Sequence, residues 1–185
     1  MDFQKNYRKI LDEIKEACEH INPEDAEKAA KEILLADKVF LIGVGRVLLS
    51  LMAFSKRLNH LGIKAFLVGD INEPAITEKD LLIVGSGSGE TAIPLNIARI
   101  AKNHGAKVLH IGSNRNSSLS EYTDFMVRIP VKTKLNLPDE IESNQIMSAL
   151  FEQTLYIFCD SICLMIAEEK KLDIKSLWRF HANLE

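Results

Sequence analysis

The chain has 185 residues, of which 46% are hydrophobic and 26% charged, with a formal net charge of −3. That length can bury a substantial core, and that balance excludes a disordered polymer. Lysine and arginine are spread along the chain without a basic excess, so no nucleic-acid partner is expected.

The first residues, Met1-Asp2-Phe3-Gln4-Lys5, are polar and lack the apolar centre of a secretory signal. The apolar runs look shorter than a bilayer span requires, so no membrane partner is expected and the cytoplasm is the expected location. Residues 4–20 place Tyr7, Ile10, Leu11, Ile14 and Cys18 at helical spacing. Asn22-Pro23 then reads as a helix start, with Asn22 as N-cap and Pro23 at the first helical position, where its missing N–H costs nothing. A second helix is predicted to about Ala36.

The stretch 38–42 is short, apolar and β-rich, and it ends in Gly43-Val44-Gly45. A helix through Leu51, Phe54, Leu58 and Leu61 follows and is closed by Gly62. The same unit recurs. Strand 64–68 leads to a loop with Pro74, and strand 80–84 leads to Gly85-Ser86-Gly87-Ser88-Gly89 and a helix ending at His104-Gly105. Strand 107–111 leads to Gly112-Ser113-Asn114, a short helix at 117–121 and a last strand at 125–129. Near-continuous apolar strands alternating with helices predict an α/β fold: one doubly wound layer of five parallel strands covered by helices on both faces. Crossover geometry then gathers the glycine loops at the C-terminal edge of the sheet, where such folds bind ligands.

Residues 130–143 read as a polar connection. They lead into the longest predicted helix, 144–170, whose apolar face is Ile146, Leu150, Leu155, Phe158, Ile162 and Ile166. Burial in the core or a subunit interface both explain that face. Nothing marks a second domain, so residues 1–185 read as one, with a helical segment at 1–36, an α/β core at 37–129 and the long helix and tail at 144–185. The three cysteines, Cys18, Cys159 and Cys163, fit no metal-ligand spacing. Cys159 and Cys163 lie one helical turn apart in an apolar stretch and read as small buried hydrophobes, with a redox pair as the alternative.

Gly85-Ser86-Gly87-Ser88-Gly89-Glu90-Thr91 carries the chemistry. It follows a buried strand and opens a helix. Glycines let backbone N–H groups approach an anion, and the helix N-terminus adds donors and a partial positive charge. Ser86, Ser88 and Thr91 add hydroxyls. The result is a phosphate cradle without a basic residue, and the absence of a following lysine excludes a Walker A loop. Glu90 would repel a dianion and is expected to face the sugar or another polar group. Gly43-Val44-Gly45-Arg46 begins like a dinucleotide fingerprint, but Leu48 stands where a third glycine belongs, and Asp70 is too distant for the ribose acid. Arg46 reads either as a charge partner for the site or as a structural ion pair.

The serine–glycine loop resembles the signature of SIS (sugar isomerase) domains. Arg57-Leu58-Asn59-His60-Leu61-Gly62 resembles the Arg-Leu-x-His-x-Gly of the 6-phospho-3-hexuloisomerase family. Phe151-Glu152-Gln153-Thr154 resembles that family's glutamate segment, and His181-Ala182-Asn183-Leu184-Glu185 its terminal His-Ala-x-Leu-Glu. The resemblance implies a flavodoxin-like sheet, a homo-oligomer (a tetramer or a dimer) and conversion of 3-hexulose 6-phosphate to fructose 6-phosphate through an enediol, with no metal or organic cofactor. It further implies phosphosugar contacts at Gly45, Arg46, Ser86, Gly87, Ser88, Gly89 and Thr91, and Glu152 as the proton-transferring base. His181, from its own or a neighbouring subunit, and His60 would assist with proton transfer at oxygen. Glu152 as a capping or ion-pairing residue and His60 as a plain helix-end histidine are the alternatives. Where the family reads Gly-Arg-Ser-Gly, this chain has Gly45-Arg46-Val47-Leu48, which removes a hydroxyl and adds bulk. An isomerase of another phosphosugar and a non-catalytic phosphosugar sensor are therefore the competing expectations.

Overall fold

The computed structural model describes residues 1–184. Helices α1 (Phe3–Glu19) and α2 (Pro23–Leu35) come first, then β1 (Val39–Ile42), α3 (Gly45–His60), β2 (Ala65–Leu67) and β3 (Leu81–Gly85). Next come α4 (Ala92–Asn103), β4 (Lys107–Gly112), a 3-10 turn at Ser118–Tyr122, β5 (Phe125–Arg128) and α5 (Ala149–Glu169), and a second 3-10 segment spans Ile174–Phe180. As expected, Asn22 caps α2, its Oδ1 accepting from the Glu24 N–H at 2.9 Å, with Pro23 in the first turn.

The five strands form one sheet in the order β2-β1-β3-β4-β5, every pairing parallel. This is the flavodoxin-like order, and its switch point lies between β1 and β3. Successive strand residues alternate between two cores, as the two-residue strand period requires. Val39, Leu41, Leu81, Ile83, Leu109 and Ile111 face a core shared with α1, α2, α3 and α5. Phe40, Ile42, Leu82, Val84 and Val108 face a second core closed by α4 and the first 3-10 turn. Fully buried side chains such as Leu41 and Phe54 each contribute about 2 kcal/mol by area.

The strands begin one residue later than the apolar pattern suggests at β1 and β3. Lys38 and Asp80 stand just outside and form an ion pair at 3.1 Å, with Asp80 buried. Cys159 and Cys163 are buried in α5, and burial pushes both thiols up, that of Cys163 to about 12. Helix α5 is long and apolar enough by composition to cross a membrane, unlike the expectation from the apolar runs. In the fold it packs against α1, α2 and α3.

Two expectations are corrected. In α1, Leu11 is exposed, while Glu13 is buried on the packed face. The long helix starts at Ala149, not at residue 144, and Ile146 is 84% exposed. Glu13 explains the second. Its carboxylate accepts from Ser143 Oγ (2.7 Å), the Asn144 N–H (3.1 Å), Asn144 Nδ2 (3.2 Å) and Gln145 Nε2 (3.1 Å). Those bonds draw residues 143–145 onto α1 in a non-helical path, and Met147 turns the chain through a left-handed φ of 56°. Burial works to raise the Glu13 carboxyl, but the bonds from Ser143, Asn144 and Gln145 together hold it below the usual carboxylate range.

Candidate active site

The carboxyl ends of β1 and β3 open on a cleft of about 720 Å³. The start of α3 forms one wall, the serine–glycine loop the floor, and the connection between β5 and α5 the opposite wall, with Glu152 in the first turn of α5.

The loop after β3 is held entirely from behind. The Ser86 carbonyl accepts from His110 Nε2 at 2.8 Å. The Gly87 carbonyl accepts from the N–H groups of Ser113 and Asn114 at 2.9 and 3.2 Å, and the Ser88 carbonyl from Asn114 Nδ2 at 3.2 Å. The Gly89 carbonyl accepts from the Leu119 N–H. In a trans peptide the carbonyl and the following N–H point in opposite directions. With the carbonyls tied back, the Gly87 and Ser88 N–H groups turn forward, and neither has a hydrogen-bond partner among the described residues. The N–H groups of Gly89 and Glu90 donate instead to Ser86 Oγ and Ser88 Oγ, which orients those hydroxyls. Thr91 stands at the N-cap of α4 but makes no side-chain capping bond, so its hydroxyl and the first-turn amides remain for a ligand. Two forward N–H groups, three hydroxyls and a helix N-terminus suit a phosphate.

Glu90 swings away from this cradle. Its carboxylate accepts from Ser118 Oγ at 2.6 Å and the Ser118 N–H at 2.8 Å, and these bonds hold it below the usual carboxylate range. Of its two expected orientations, it takes the one toward another polar group.

Glu152 is buried. One carboxylate oxygen pairs with Arg46 Nε, and the other accepts from Ser148 Oγ at 3.1 Å. Its backbone carbonyl accepts from Ser50 Oγ at 3.0 Å, which ties α5 to α3. Arg46 is thus an ion-pair partner and a cleft residue at once. Val47 packs into the floor; a Cβ placed on Gly85 would lie 2.8 Å from Val47 Cγ1 and 2.9 Å from Leu51 Cδ1. The bulkier Val47 is therefore accommodated because its neighbour on β3 is glycine.

Gly45, Arg46, Ser86, Gly87, Ser88, Thr91 and Glu152 all line the cleft. Gly89 lies behind the cradle at a left-handed turn (φ 67°) and does not line it. His60 and His181 are elsewhere. Their ring centroids lie 5.9 Å apart at a tilt of 31°, and the Trp178 ring centroid lies 5.4 Å from that of His181. His60 ends α3 while Arg46 begins it, which separates the two by about 20 Å at the helical rise. Nδ1 of His60 accepts from Arg57 at 3.3 Å, and its Nε2 is buried with no hydrogen-bond partner among the described residues. Burial first, and then the positive charges of Arg57, Lys56 and His181, lower its pKa.

The opposite wall was read in the sequence only as a polar connection. It brings Lys132, Thr133 and Lys134 to the cleft. Glu140 holds this wall closed, accepting from the N–H groups of Thr133 and Leu137 and from Thr133 Oγ1. Two lysines flanking a threonine just beyond the last strand were the available signal.

His110 is a second unforeseen element. Burial drives its imidazole down to about 4, opposed by the bond to the Ser86 carbonyl. An unfolded chain's histidine gains its proton near pH 6.5 and the folded one only near 4. Between those values the unfolded state binds more protons. His110 thus withholds nothing above pH 6.5 and costs up to about 1.4 kcal/mol per pH unit below it. Urea midpoints should fall between pH 7 and pH 5, and His110→Gln should flatten that slope. Equal slopes in both proteins would remove His110 as its source.

The profile of the SIS domain matches residues 32–160. The chain is 38% identical over 176 residues to a 3-hexulose-6-phosphate isomerase of Bacillus subtilis (strain 168), covering 95% of each. It is 33% identical over 184 residues to a 3-hexulose-6-phosphate isomerase of Mycobacterium gastri, covering 100% of this chain and 92% of that one. A Methanococcus jannaschii protein, whose crystal structure infers a molecular function of 3-hexulose-6-phosphate isomerase, superimposes with a TM-score of 0.83 at 29% identity, covering 98% of this chain and 99% of that one. The cradle, the strand order and these full-length likenesses agree that the chain belongs to the SIS domain family.

Proposed function

We propose that this chain isomerises a sugar phosphate, converting 3-hexulose 6-phosphate to fructose 6-phosphate. The observation that carries the reading is a buried carboxylate, Glu152, in the same cleft as a cradle of forward-facing N–H and hydroxyl groups. The cradle holds the phosphate. Glu152 takes the proton from C2, beside the carbonyl at C3, and the enediol forms across C2 and C3. The proton returns to C3 while the hydroxyl proton moves from O2 to O3, so the reaction balances with no redox partner. Arg46 orients Glu152 and faces the charge that develops on the enediolate oxygen. Lys134 supplies the positive charge that the cradle lacks.

The protein acts as a homo-oligomer in this reading. An apolar groove containing Leu49, Tyr156 and Ile157 runs directly beside the Arg46–Glu152 pair. A second copy seated there brings its own His60 and His181 toward Glu152, whereas the same chain holds them at the far end of α3. One observation favours another phosphosugar as substrate: Val47 makes the cleft floor apolar where the family has a hydroxyl.

The test is a coupled assay on 3-hexulose 6-phosphate, with fructose 6-phosphate as the read-out and a panel of aldose and ketose phosphates beside it. Turnover confined to the 3-hexulose phosphate is expected. Turnover on a different phosphate alone would reassign the substrate. No turnover, with fructose 6-phosphate still raising the melting temperature, would reduce the protein to a phosphosugar binder.

A further inference from the structure

His110 has a place in the cradle that its chemistry alone does not require. It stands on β4, opposite Val84 in register, on the face that holds Val108 in the second core. It is 1% exposed. A leucine would fill such a site without the desolvation cost of an imidazole, so a buried histidine calls for a compensating bond. That bond is the one to the Ser86 carbonyl, and because a carbonyl only accepts, the ring carries its hydrogen on Nε2.

The contact is built into the backbone two residues on. A Cβ at Gly112 would lie 2.2 Å from His110 Nε2 and 2.4 Å from the Ser86 oxygen. The imidazole–carbonyl bond therefore occupies the space that any other residue at 112 would fill. His110 and Gly112 form one device, a side chain and the vacancy that admits it.

The consequence falls on the ligand side of the same peptide. Ser86 C=O and Gly87 N–H share one trans plane. Pinning the oxygen backward aims the N–H into the cleft. We propose that His110 is a positioning residue of the phosphate cradle, fixing the Gly87 N–H toward the ligand through the Ser86 carbonyl. It touches neither the substrate nor Glu152, so its effect falls on binding and leaves the proton transfers alone. This inference rests on the phosphosugar reading of the cleft.

The experiment compares wild type with His110→Leu, His110→Gln and Gly112→Ala, by calorimetric titration with fructose 6-phosphate and inorganic phosphate and by steady-state kinetics. Loss of one aimed N–H should raise Kd and KM about tenfold in His110→Leu, with kcat within about twofold. His110→Gln, whose amide reaches as far as Nε2, should recover most of the affinity. Gly112→Ala sets its Cβ against the Ser86 oxygen as well as the imidazole, so it displaces the carbonyl directly and should weaken binding at least as much as His110→Leu, while the comparison of His110→Gln with wild type keeps the test open if His110→Leu folds poorly. Wild-type affinity in His110→Leu, or a glutamine variant as weak as the leucine one, would overturn the positioning role while leaving the phosphosugar reading in place. A wild-type protein that binds neither probe would overturn both.

Discussion

Glu152→Gln is expected to abolish turnover while leaving phosphosugar binding nearly intact. Glutamine keeps the shape of the side chain and can still accept the hydrogen bond from Ser148, but it cannot carry a proton between C2 and C3. General acid–base groups are worth about 10²–10⁴ in rate, so kcat should fall by that factor. The cradle lies on a different element, the loop after β3, and its carbonyl anchors do not involve Glu152. Fructose 6-phosphate should therefore bind within about threefold of wild-type affinity, since only uniform binding energy is retained. Folding should survive as well. The Arg46 side chain is 65% exposed, so water solvates the guanidinium once its partner is neutral, and the lost pair should cost no more than about 1 kcal/mol. Kinetics, calorimetry and a thermal melt on one preparation check all three. Normal turnover in the variant would remove Glu152 as the base and leave it the structural partner of Arg46.

Mixing two inactive proteins should restore activity. His60 and His181 sit beside each other about 20 Å from the Arg46 end of α3, so one chain cannot place them beside its own Glu152. In a symmetric assembly a second copy can. Glu152→Gln supplies intact histidines, and a His60→Ala, His181→Ala double variant supplies an intact carboxylate. When the two are unfolded together and refolded, a mixed pair contains one complete site and one doubly defective site. Half of randomly formed pairs are mixed, so about a quarter of wild-type activity is expected from isologous pairing. Each variant refolded alone should stay inactive. If the mixture is no more active than its parts, no site is shared between copies. If the double histidine variant is fully active by itself, the histidine pair belongs to the helix end and not to the reaction.

The layered α/β fold was legible because its causes are local. Near-continuous apolar runs in β1, β3 and β4 report two-sided burial, and Asn22-Pro23 and Gly105 punctuate the helices through their own backbone preferences. The cradle was legible for the same reason: glycines and hydroxyls within seven consecutive residues carry the whole donor set. Glu152 and the terminal histidine segment were legible only through resemblance, since a lone glutamate on an apolar helix has several structural explanations.

Contacts between distant parts of the chain decided the remainder. Glu13 reaches across 130 residues to Ser143 and holds residues 143–145 in a non-helical path, although the apolar spacing from Ile146 onward predicted a helix from residue 144. Local periodicity carries no record of that carboxylate. Glu140 folds a polar connection into a cleft wall with Lys132 and Lys134, and the sequence offered only its polarity and the two lysines flanking Thr133. His110 and Ser86 meet because β4 lies beside β3, a neighbour relation set by sheet topology. The separation of His60 from Arg46 follows from helix length alone, yet it mattered only once both ends of α3 had been placed against the cleft. Composition, periodicity and short motifs thus determined the layers and the phosphate end of the site. Tertiary structure decided which charged groups face one another, because burial and partnership are properties of distance in space, and the chain separates by a hundred residues what the fold brings within 3 Å.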